Sequence, residues 1–162
     1  KTVEVDNTDA EGRVVLGDVL AYASGSKPSV IIDMATLTGA CVVALGPYTA
    51  GAFGNDRELV ASFREASAKT GERFWELPMD DDRLKKKIRS EIADVLNSGG
   101  RYGGAITAAM FLREFVGEGI KWLHLDIAGV DTSDEEYGYY RKGATGFGVR
   151  TCLEWLEMRM SR

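Results

Sequence analysis

Apolar and polar positions along the first half of the chain predict strands and helices in alternation. Alternating side chains at residues 3–6 predict a short strand, and apolar side chains at helical spacing then predict a helix over residues 10–24. The nearly continuous apolar run at residues 30–34 is typical of a strand covered on both faces. Residues 41–45 are predicted to be another strand, followed by small residues through position 54.

The second half continues the same alternation. A helix is predicted to begin at Asn55 or Asp56, and residues 75–78 are predicted to be extended because the residue before Pro78 disfavours helix. The remaining predicted elements are a mostly helical segment at 80–97, a glycine-rich loop at 99–104, a helix at 105–115, a strand at 122–127, an irregular polar segment at 131–146 and a helix at 149–160. Strands alternating with helices predict an α/β fold with a largely parallel sheet.

The composition is that of one ordinary domain of 162 residues, 44% hydrophobic and 28% charged. Its 20 Lys and Arg against 25 Asp and Glu give a formal net charge of −5, which argues against nucleic acid as a partner. No apolar run approaches the roughly 18 residues of a membrane span, so no membrane contact is expected. Cys41 and Cys152 lie in apolar surroundings typical of buried, reduced thiols, which indicates a cytoplasmic protein.

Two carboxylates and a guanidinium lie within five residues at the junction of the first strand and the first helix. Asp9 and Glu11 place hard oxygen ligands one residue apart, and Gly12 allows a bend that turns both toward one cation. Arg13 adds a fixed positive fork for a carboxylate, phosphate or other oxyanion. The same residues also fit an acidic helix N-terminus that complements the helix macrodipole, so this pattern leaves both interpretations open.

Further candidates lie at predicted strand ends, where α/β sheets bind ligands. The small residues at 35–40 would let a ligand approach the backbone, although a plain turn between strands fits equally well. His124 alternates with apolar residues and is interpreted as a hydrogen-bonded core group rather than a ligand or base. The loop at 99–104 lacks the Gly-Lys-Ser/Thr ending of a phosphate-binding loop and is interpreted as a mobile loop at the rim of a site.

Together these segments resemble the leucyl aminopeptidase family, the cytosolic aminopeptidases with two metal ions. Residues 7–13, Asn-Thr-Asp-Ala-Glu-Gly-Arg, resemble the family's signature heptad, and residues 33–40 resemble its next block. The segments at 104–112, 122–129 and 143–146 follow in the family's order. The resemblance covers essentially the whole chain, and the heptad is highly specific.

The resemblance implies roles for individual residues. Asp9 and Glu11 match metal-binding carboxylates, with Glu11 expected to bridge two divalent ions (Mn or Zn) and the Asp9 carbonyl as a further ligand. Arg13, the implied catalytic residue, matches the arginine that holds a bicarbonate ion, which acts as general base toward the attacking water. Leu37 and Gly39 match backbone positions near the scissile peptide. The lining of the pocket for the N-terminal side chain is matched by Asn7, Ala10, Thr36, Gly39 and Ala128.

The implied activity is metal-dependent hydrolysis of the N-terminal peptide bond, which releases an amino acid from peptides. The metal ions of such a site lower the pKa of a bound water and polarise the peptide carbonyl. The alternative is a non-catalytic structural or nucleic-acid-binding remnant of such an enzyme. The implied fold is a three-layer α/β/α sandwich with a mixed, largely parallel sheet, incomplete in this chain.

The family pattern also includes an upstream segment with two lysines and two further aspartate ligands, and a separate N-terminal domain. We expect these to precede Lys1, so that residues 1–162 form the C-terminal part of the catalytic domain. Two carboxylates cannot fill the coordination shells of two divalent ions, so the chain alone is expected to be inactive. An exposed sheet edge and apolar faces predict aggregation or a partner, namely the missing portion of the same protein within a homohexamer.

One position departs from the family pattern. Asp131 stands where an apolar residue of the side-chain pocket is expected. If its carboxylate points inward, preference would shift from leucine toward polar or basic N-terminal residues. A solvent-facing Asp131 is the alternative.

Overall fold

A four-stranded mixed sheet lies at the centre of the computed structural model, which describes residues 1–161. The strands stand in the order β2 (Val30–Ala35), β6 (Lys121–Asp126), β3 (Ala50–Gly54) and β4 (Phe74–Glu76). The pairs β2–β6 and β3–β4 are parallel, while β3 and β6 are antiparallel. Two short ladders accompany it: β1 (Val3–Glu4) is parallel to β5 (Val95–Leu96), and β7 (Thr132–Ser133) is antiparallel to β8 (Gly143–Ala144).

Helices cover both faces of this sheet, which confirms the predicted α/β/α layers. One face carries α1 (Glu11–Gly25), α2 (Gly39–Leu45) and α5 (Gly104–Arg113), and the other carries α3 (Arg57–Thr70) and α6 (Val149–Met160). Successive side chains of β6 point to opposite faces of the sheet, so the core consists of two clusters. Trp122 packs with the first set of helices, and Leu123 and Leu125 pack with the second. A short α4 (Asp82–Lys85) runs into the 3-10 turn Lys86–Ile88. No helix within residues 1–161 has the length and apolar character to cross a membrane.

Most predicted elements are confirmed, with ends that differ by a few residues. The first strand is shorter than predicted, and the helix predicted from Asn55 or Asp56 is capped by Asp56, whose carboxylate accepts the Leu59 N–H at 2.8 Å. Residues 30–34 form the predicted strand, and it packs on both faces, with Ile31 against the first core cluster and Val30 and Ile32 against the second. This strand, β2, ends the row of four strands, so its residues are only partly buried.

Residues 41–45 were predicted to be a strand, and that prediction is wrong because they belong to α2. Thr38 caps this helix, since its hydroxyl accepts the Cys41 N–H at 3.0 Å. Gly46 ends it with a φ of 73°, a conformation that favours glycine. A short apolar run carries no periodicity that separates a helix from a strand, so the cap decides the outcome.

The prediction of a mostly helical segment at residues 80–97 is wrong beyond Ile88. The 3-10 turn ends there, and the next residue is extended with φ −79° and ψ 137°. Val95–Leu96 pairs with β1, and the Asn97 N–H donates to the Glu4 carbonyl at 2.9 Å. This long-range pairing overrides the local helical preference of the charged residues.

No sequence pattern predicts β3, although it is an inner strand of the sheet. Its sequence, Ala-Gly-Ala-Phe-Gly, contains one large side chain, that of Phe53. Its neighbours approach too closely for larger residues: a Cβ at Gly54 would lie 2.3 Å from the Val60 side chain, and one at Gly51 would lie 2.8 Å from the Cys41 sulfur. Because glycine and alanine have low strand propensity, packing alone determines this strand.

The predictions for His124 and Cys41 are confirmed, whereas Cys152, also predicted to be buried, is only partly buried. His124 is fully buried, and its Nδ1 lies 2.5 Å from an Asp33 carboxylate oxygen whose partner oxygen accepts the Trp122 indole N–H at 2.6 Å. Cys41 and Cys152 are free thiols. Burial raises the pKa of the Cys41 thiol to about 12, so it is protonated at neutral pH.

Glu72 joins α3, α6 and the 137–140 segment on the side of the sheet away from α1. Its carboxylate is 1% exposed and accepts three hydrogen bonds. The Thr151 N–H donates at 3.0 Å, the Thr151 hydroxyl at 2.6 Å and the Tyr140 hydroxyl at 3.2 Å. The first turn of α6 is therefore held by a carboxylate from a distant part of the chain.

The Glu72→Gln substitution should lower the free energy of unfolding by about 2–3 kcal/mol, because hydrogen bonds to a buried charge contribute more than neutral ones. The glutamine NH2 group also replaces one carboxylate oxygen, so at least one hydrogen bond from Thr151 or Tyr140 loses its acceptor. Urea denaturation measures the change. The control Glu157→Gln, at an exposed position of α6, should change stability by less than about 0.5 kcal/mol. Equal effects in the two variants would contradict the role assigned to Glu72.

Candidate active site

A cavity of about 880 Å³ opens where three segments meet: residues 7–13, residues 37–44 and the glycine-rich loop with the start of α5. The loop at 99–104 lines its rim, as predicted. The predicted site residues that line the cavity are Asn7, Asp9, Ala10, Arg13, Leu37 and Gly39. The fold therefore brings together the first two candidate segments, which are separated by α1 and β2 in the sequence.

Three predicted site residues do not line the cavity. Glu11 is exposed at the first position of α1, and Thr36 is exposed directly after β2. Ala128 is partly buried, and its N–H donates to the Asp126 carboxylate at 3.2 Å. Asp131 also lies outside the lining, so its effect on side-chain preference stays a prediction.

Asn97, which the sequence analysis missed, fixes the turn that carries Asp9. Its fully buried side chain accepts the N–H groups of Asp6 and Asn7 at 3.1 and 3.3 Å and donates to the Asn7 carbonyl at 2.7 Å. The Asn7 side chain then accepts the Asp9 N–H at 3.0 Å and begins the 3-10 turn Thr8–Ala10. The only sequence signal was an amide placed between an apolar pair and a glycine-rich loop.

Arg13 places a partly buried guanidinium in the cavity wall. Its Nη1 donates to the Asn97 carbonyl at 2.8 Å, while its buried Nε has no hydrogen-bond partner among residues 1–161. Burial lowers the pKa of this guanidinium from its ordinary value, and the carboxylates of Asp126 and Asp6 oppose that effect. A buried N–H donor without a partner, beside a cavity, is suited to an anion.

Asp126, at the end of β6, holds both loops that carry predicted substrate-binding positions. Its carboxylate is 1% exposed, and Oδ1 accepts the N–H groups of Leu37, Thr38 and Ala128 at 3.1, 3.3 and 3.2 Å. Its Oδ2 accepts the Thr38 hydroxyl at 2.6 Å. The sequence analysis considered this segment only for His124, although a carboxylate at the end of a buried strand was the available signal.

Asp9, which lines the cavity, and Glu11, which lies two residues beyond it outside the lining, carry exposed carboxylates suited to a cation. In the part of the chain that the structure describes, no group of three or more His, Cys, Asp or Glu side chains could hold a metal ion. Carboxylate oxygens suit hard divalent ions, each of which takes about four to six ligands. The donor set therefore fits one side of a metal site and needs ligands from outside these residues.

Comparisons with known proteins place these residues in a family. The pattern of the cytosol aminopeptidase family, catalytic domain, matches residues 1–153. The chain is 70% identical over 156 residues to a probable cytosol aminopeptidase of Aquifex aeolicus, covering 96% of this chain and 32% of that protein. It is 55% identical over 157 residues to a probable cytosol aminopeptidase of Koribacter versatilis, covering 97% of this chain and 30% of that protein.

Two solved structures share the fold. A mutant of tomato leucine aminopeptidase superimposes with a TM-score of 0.89 at 50% identity, covering 96% of this chain and 30% of that chain. The bottromycin maturation enzyme BotP, in complex with Mn, superimposes with a TM-score of 0.91 at 43% identity, covering 97% of this chain and 35% of that chain. The chain spans about a third of the length of the curated relatives it matches.

Proposed function

The chain belongs to the cytosol aminopeptidase family, and on that basis we propose that it supplies part of the active site of a metal-dependent aminopeptidase. This enzyme would hydrolyse the N-terminal peptide bond of peptides in the cytoplasm and release one amino acid. The observation that carries the proposal is the cavity that joins Asp9, Arg13 and the backbone at Leu37 and Gly39. We call this chain, together with the upstream part of the family's catalytic domain, the assembled enzyme.

Asp9 and Glu11 would hold two divalent ions, Mn or Zn, with Glu11 bridging the pair. Such ions, when bound, lower the pKa of a coordinated water and polarise the peptide carbonyl. The exposed carboxylates and the Mn in the BotP structure support this assignment. The remaining ligands would come from the upstream part of the assembled enzyme.

Arg13 would hold a bicarbonate ion beside the cavity. Its Nη1 donates to the Asn97 carbonyl, which orients the guanidinium, while its buried Nε has no hydrogen-bond partner among the described residues. A guanidinium recognises a planar oxyanion through directed N–H donors. Arg13 would therefore act by binding an anion and not by binding metal.

The segment after β2 would position the peptide. The Leu37 N–H already donates to Asp126, so Leu37 offers its carbonyl to a substrate amide. Gly39 is the first residue of α2, and it is exposed and lines the cavity. Asn7, Ala10, Thr36 and Ala128 remain the proposed lining for the N-terminal side chain.

Exposed apolar side chains of α1, of α6 and of the edge strand β2 would bind the upstream part. This edge surface combines a stripe on α1, a stripe on α6 and Met34 of β2. Its helical members, each between 49% and 88% exposed, are Val15, Val19, Tyr22, Val149, Leu153, Leu156 and Met160. The start of α6 lies against β2, since a Cβ at Gly148 would be 2.6 Å from the Met34 sulfur. The relatives are about three times as long as this chain, so a corresponding upstream segment would be long enough to cover the edge surface. The covered surface would lie within the proposed homohexamer.

The Arg13→Ala variant of the assembled enzyme should turn over an aminoacyl anilide about 10²-fold more slowly, because a held charge near the reacting group contributes several kcal/mol. Its metal content should stay at the wild-type value, measured by elemental mass spectrometry of the same sample. The control Arg64→Ala, on the exposed surface of α3, should leave turnover unchanged. Loss of metal together with turnover would refute the anion-binding role. A wild-type enzyme that hydrolyses nothing with Mn or Zn would refute the proposed function.

A further inference from the structure

We propose that Asp126 is a positioning residue for this reaction, one whose carboxylate sets where the peptide backbone binds relative to Arg13. The inference rests on the proposed function and adds to it a residue outside the matched metal, anion and substrate positions. It follows from the hydrogen bonds of one buried side chain to two separate loops. Asp126 itself would touch neither the substrate nor a metal ion.

The two loops that would bind the peptide leave adjacent parallel strands. Ala35 of β2 and Asp126 of β6 are register partners, and the Ile127 N–H donates to the Ala35 carbonyl at 2.9 Å. Beyond this pair the backbones diverge, and the N–H groups of Leu37 and Ala128 turn to the same Asp126 oxygen. One atom therefore sets the spacing between the loop before α2 and the loop after β6.

The second oxygen of Asp126 controls the start of α2. The Thr38 hydroxyl donates to it at 2.6 Å and accepts the Cys41 N–H at 3.0 Å. Because the hydroxyl donates its hydrogen bond to the carboxylate, its lone pairs face the helix, and the cap is held in one orientation. The cap therefore fixes the position of Gly39, the next residue, which lines the cavity.

None of the hydrogen bonds that the described residues form with the Asp126 carboxylate involves Arg13. All four hydrogen bonds to the carboxylate come from neutral donors, so none of them neutralises its charge. Among the described residues Arg13 forms no ion pair with it, and the Arg13 Nε stays without a partner. Asp126 therefore positions the two loops without occupying the Arg13 Nε donor.

The Asp126→Asn variant tests this role in the assembled enzyme, because the amide has the same size but loses the charge and keeps only one acceptor oxygen. It therefore cannot accept both the backbone N–H groups and the Thr38 hydroxyl. We expect kcat/KM for leucyl anilide to fall about 10²-fold, the effect of a displacement of about 1 Å at a reacting centre. The metal content per protein should not change. Glu72→Gln is the matched control: Glu72 is also 1% exposed and also accepts a backbone N–H and hydroxyls, but it lies on the other face of the sheet. Its kcat/KM should stay within about twofold of wild type.

A second pair of variants keeps the test decisive if Asp126→Asn does not fold. Thr38→Val removes the hydroxyl that binds Asp126 and should lower kcat/KM, whereas Thr38→Ser retains the hydroxyl and should restore it. Wild-type kcat/KM in Asp126→Asn, or equal values for Thr38→Val and Thr38→Ser, would overturn the inference. So would an equal loss of kcat/KM in Glu72→Gln. These failures leave the wild-type enzyme active, whereas failure of the proposed function shows as an inactive wild type with Mn or Zn.

Discussion

Replacing Glu11 by alanine should abolish most peptide hydrolysis by the assembled enzyme, with turnover of an aminoacyl anilide falling about 10³-fold. The reason is that Glu11 is the proposed bridge between the two metal ions, whose stabilisation of the developing charge contributes several kcal/mol. The ion content should fall below two per copy in the same sample. Glu11 is exposed at the start of α1 and accepts no hydrogen bond from the described residues through its side chain, so the fold should survive the change.

The control for this experiment lies on the same helix. Asp18, also exposed on α1, is about two turns from Glu11, and Asp18→Ala should leave both turnover and metal content unchanged. If Glu11→Ala kept full turnover, the catalytic account would be wrong. The alternative of a non-catalytic remnant would then be the better description of the chain.

Replacing Leu153 by lysine should weaken the association of residues 1–162 with the upstream part of the catalytic domain. Leu153 lies in the middle of the α6 stripe of the edge surface and is 57% exposed in this chain. Burying a leucine contributes about 1.5–3 kcal/mol, and an unpaired lysine at the same place costs more. The expected loss is at least about 3 kcal/mol, or roughly 10²-fold in the dissociation constant. Titration calorimetry of the two parts measures it.

A lysine on a different helix surface controls for the added charge. Ala61 is exposed on α3, away from β2, and Ala61→Lys should leave the dissociation constant unchanged. Equal affinities for the Leu153→Lys and wild-type chains would place the contact elsewhere. Affinity lost equally in both variants would show a general effect of charge.

The parts of the fold that the sequence predicts correctly are those with strong periodicity. The helices at Glu11–Gly25 and Val149–Met160 show apolar side chains at helical spacing, and β6 carries three large apolar residues around His124. In α2 the deciding feature is one hydroxyl, that of Thr38, which a periodicity count does not contain. In β3 the deciding feature is the space left by its neighbours, so the strand has glycine and alanine where a pattern requires large residues.

The candidate site divides in a similar way. Asp9, Arg13 and Gly39 were predicted because the heptad and the block after β2 are specific motifs, and the cavity joins them. Asn97 and Asp126 were not predicted, since each acts by accepting backbone N–H groups from residues about 90 positions away. Such contacts exist only after the chain has folded, because β5 must pair with β1 and β6 with β2.

Counting metal ions by native mass spectrometry tests the central claim most directly, namely that this chain supplies one part of a two-metal aminopeptidase site. Residues 1–162 would be titrated with Mn²⁺ alone and again with the upstream part of the catalytic domain present. The account predicts two ions per copy of the assembled enzyme and no stable pair of ions on residues 1–162 alone. Two ions held by residues 1–162 alone, or none held by the assembled enzyme, would contradict it.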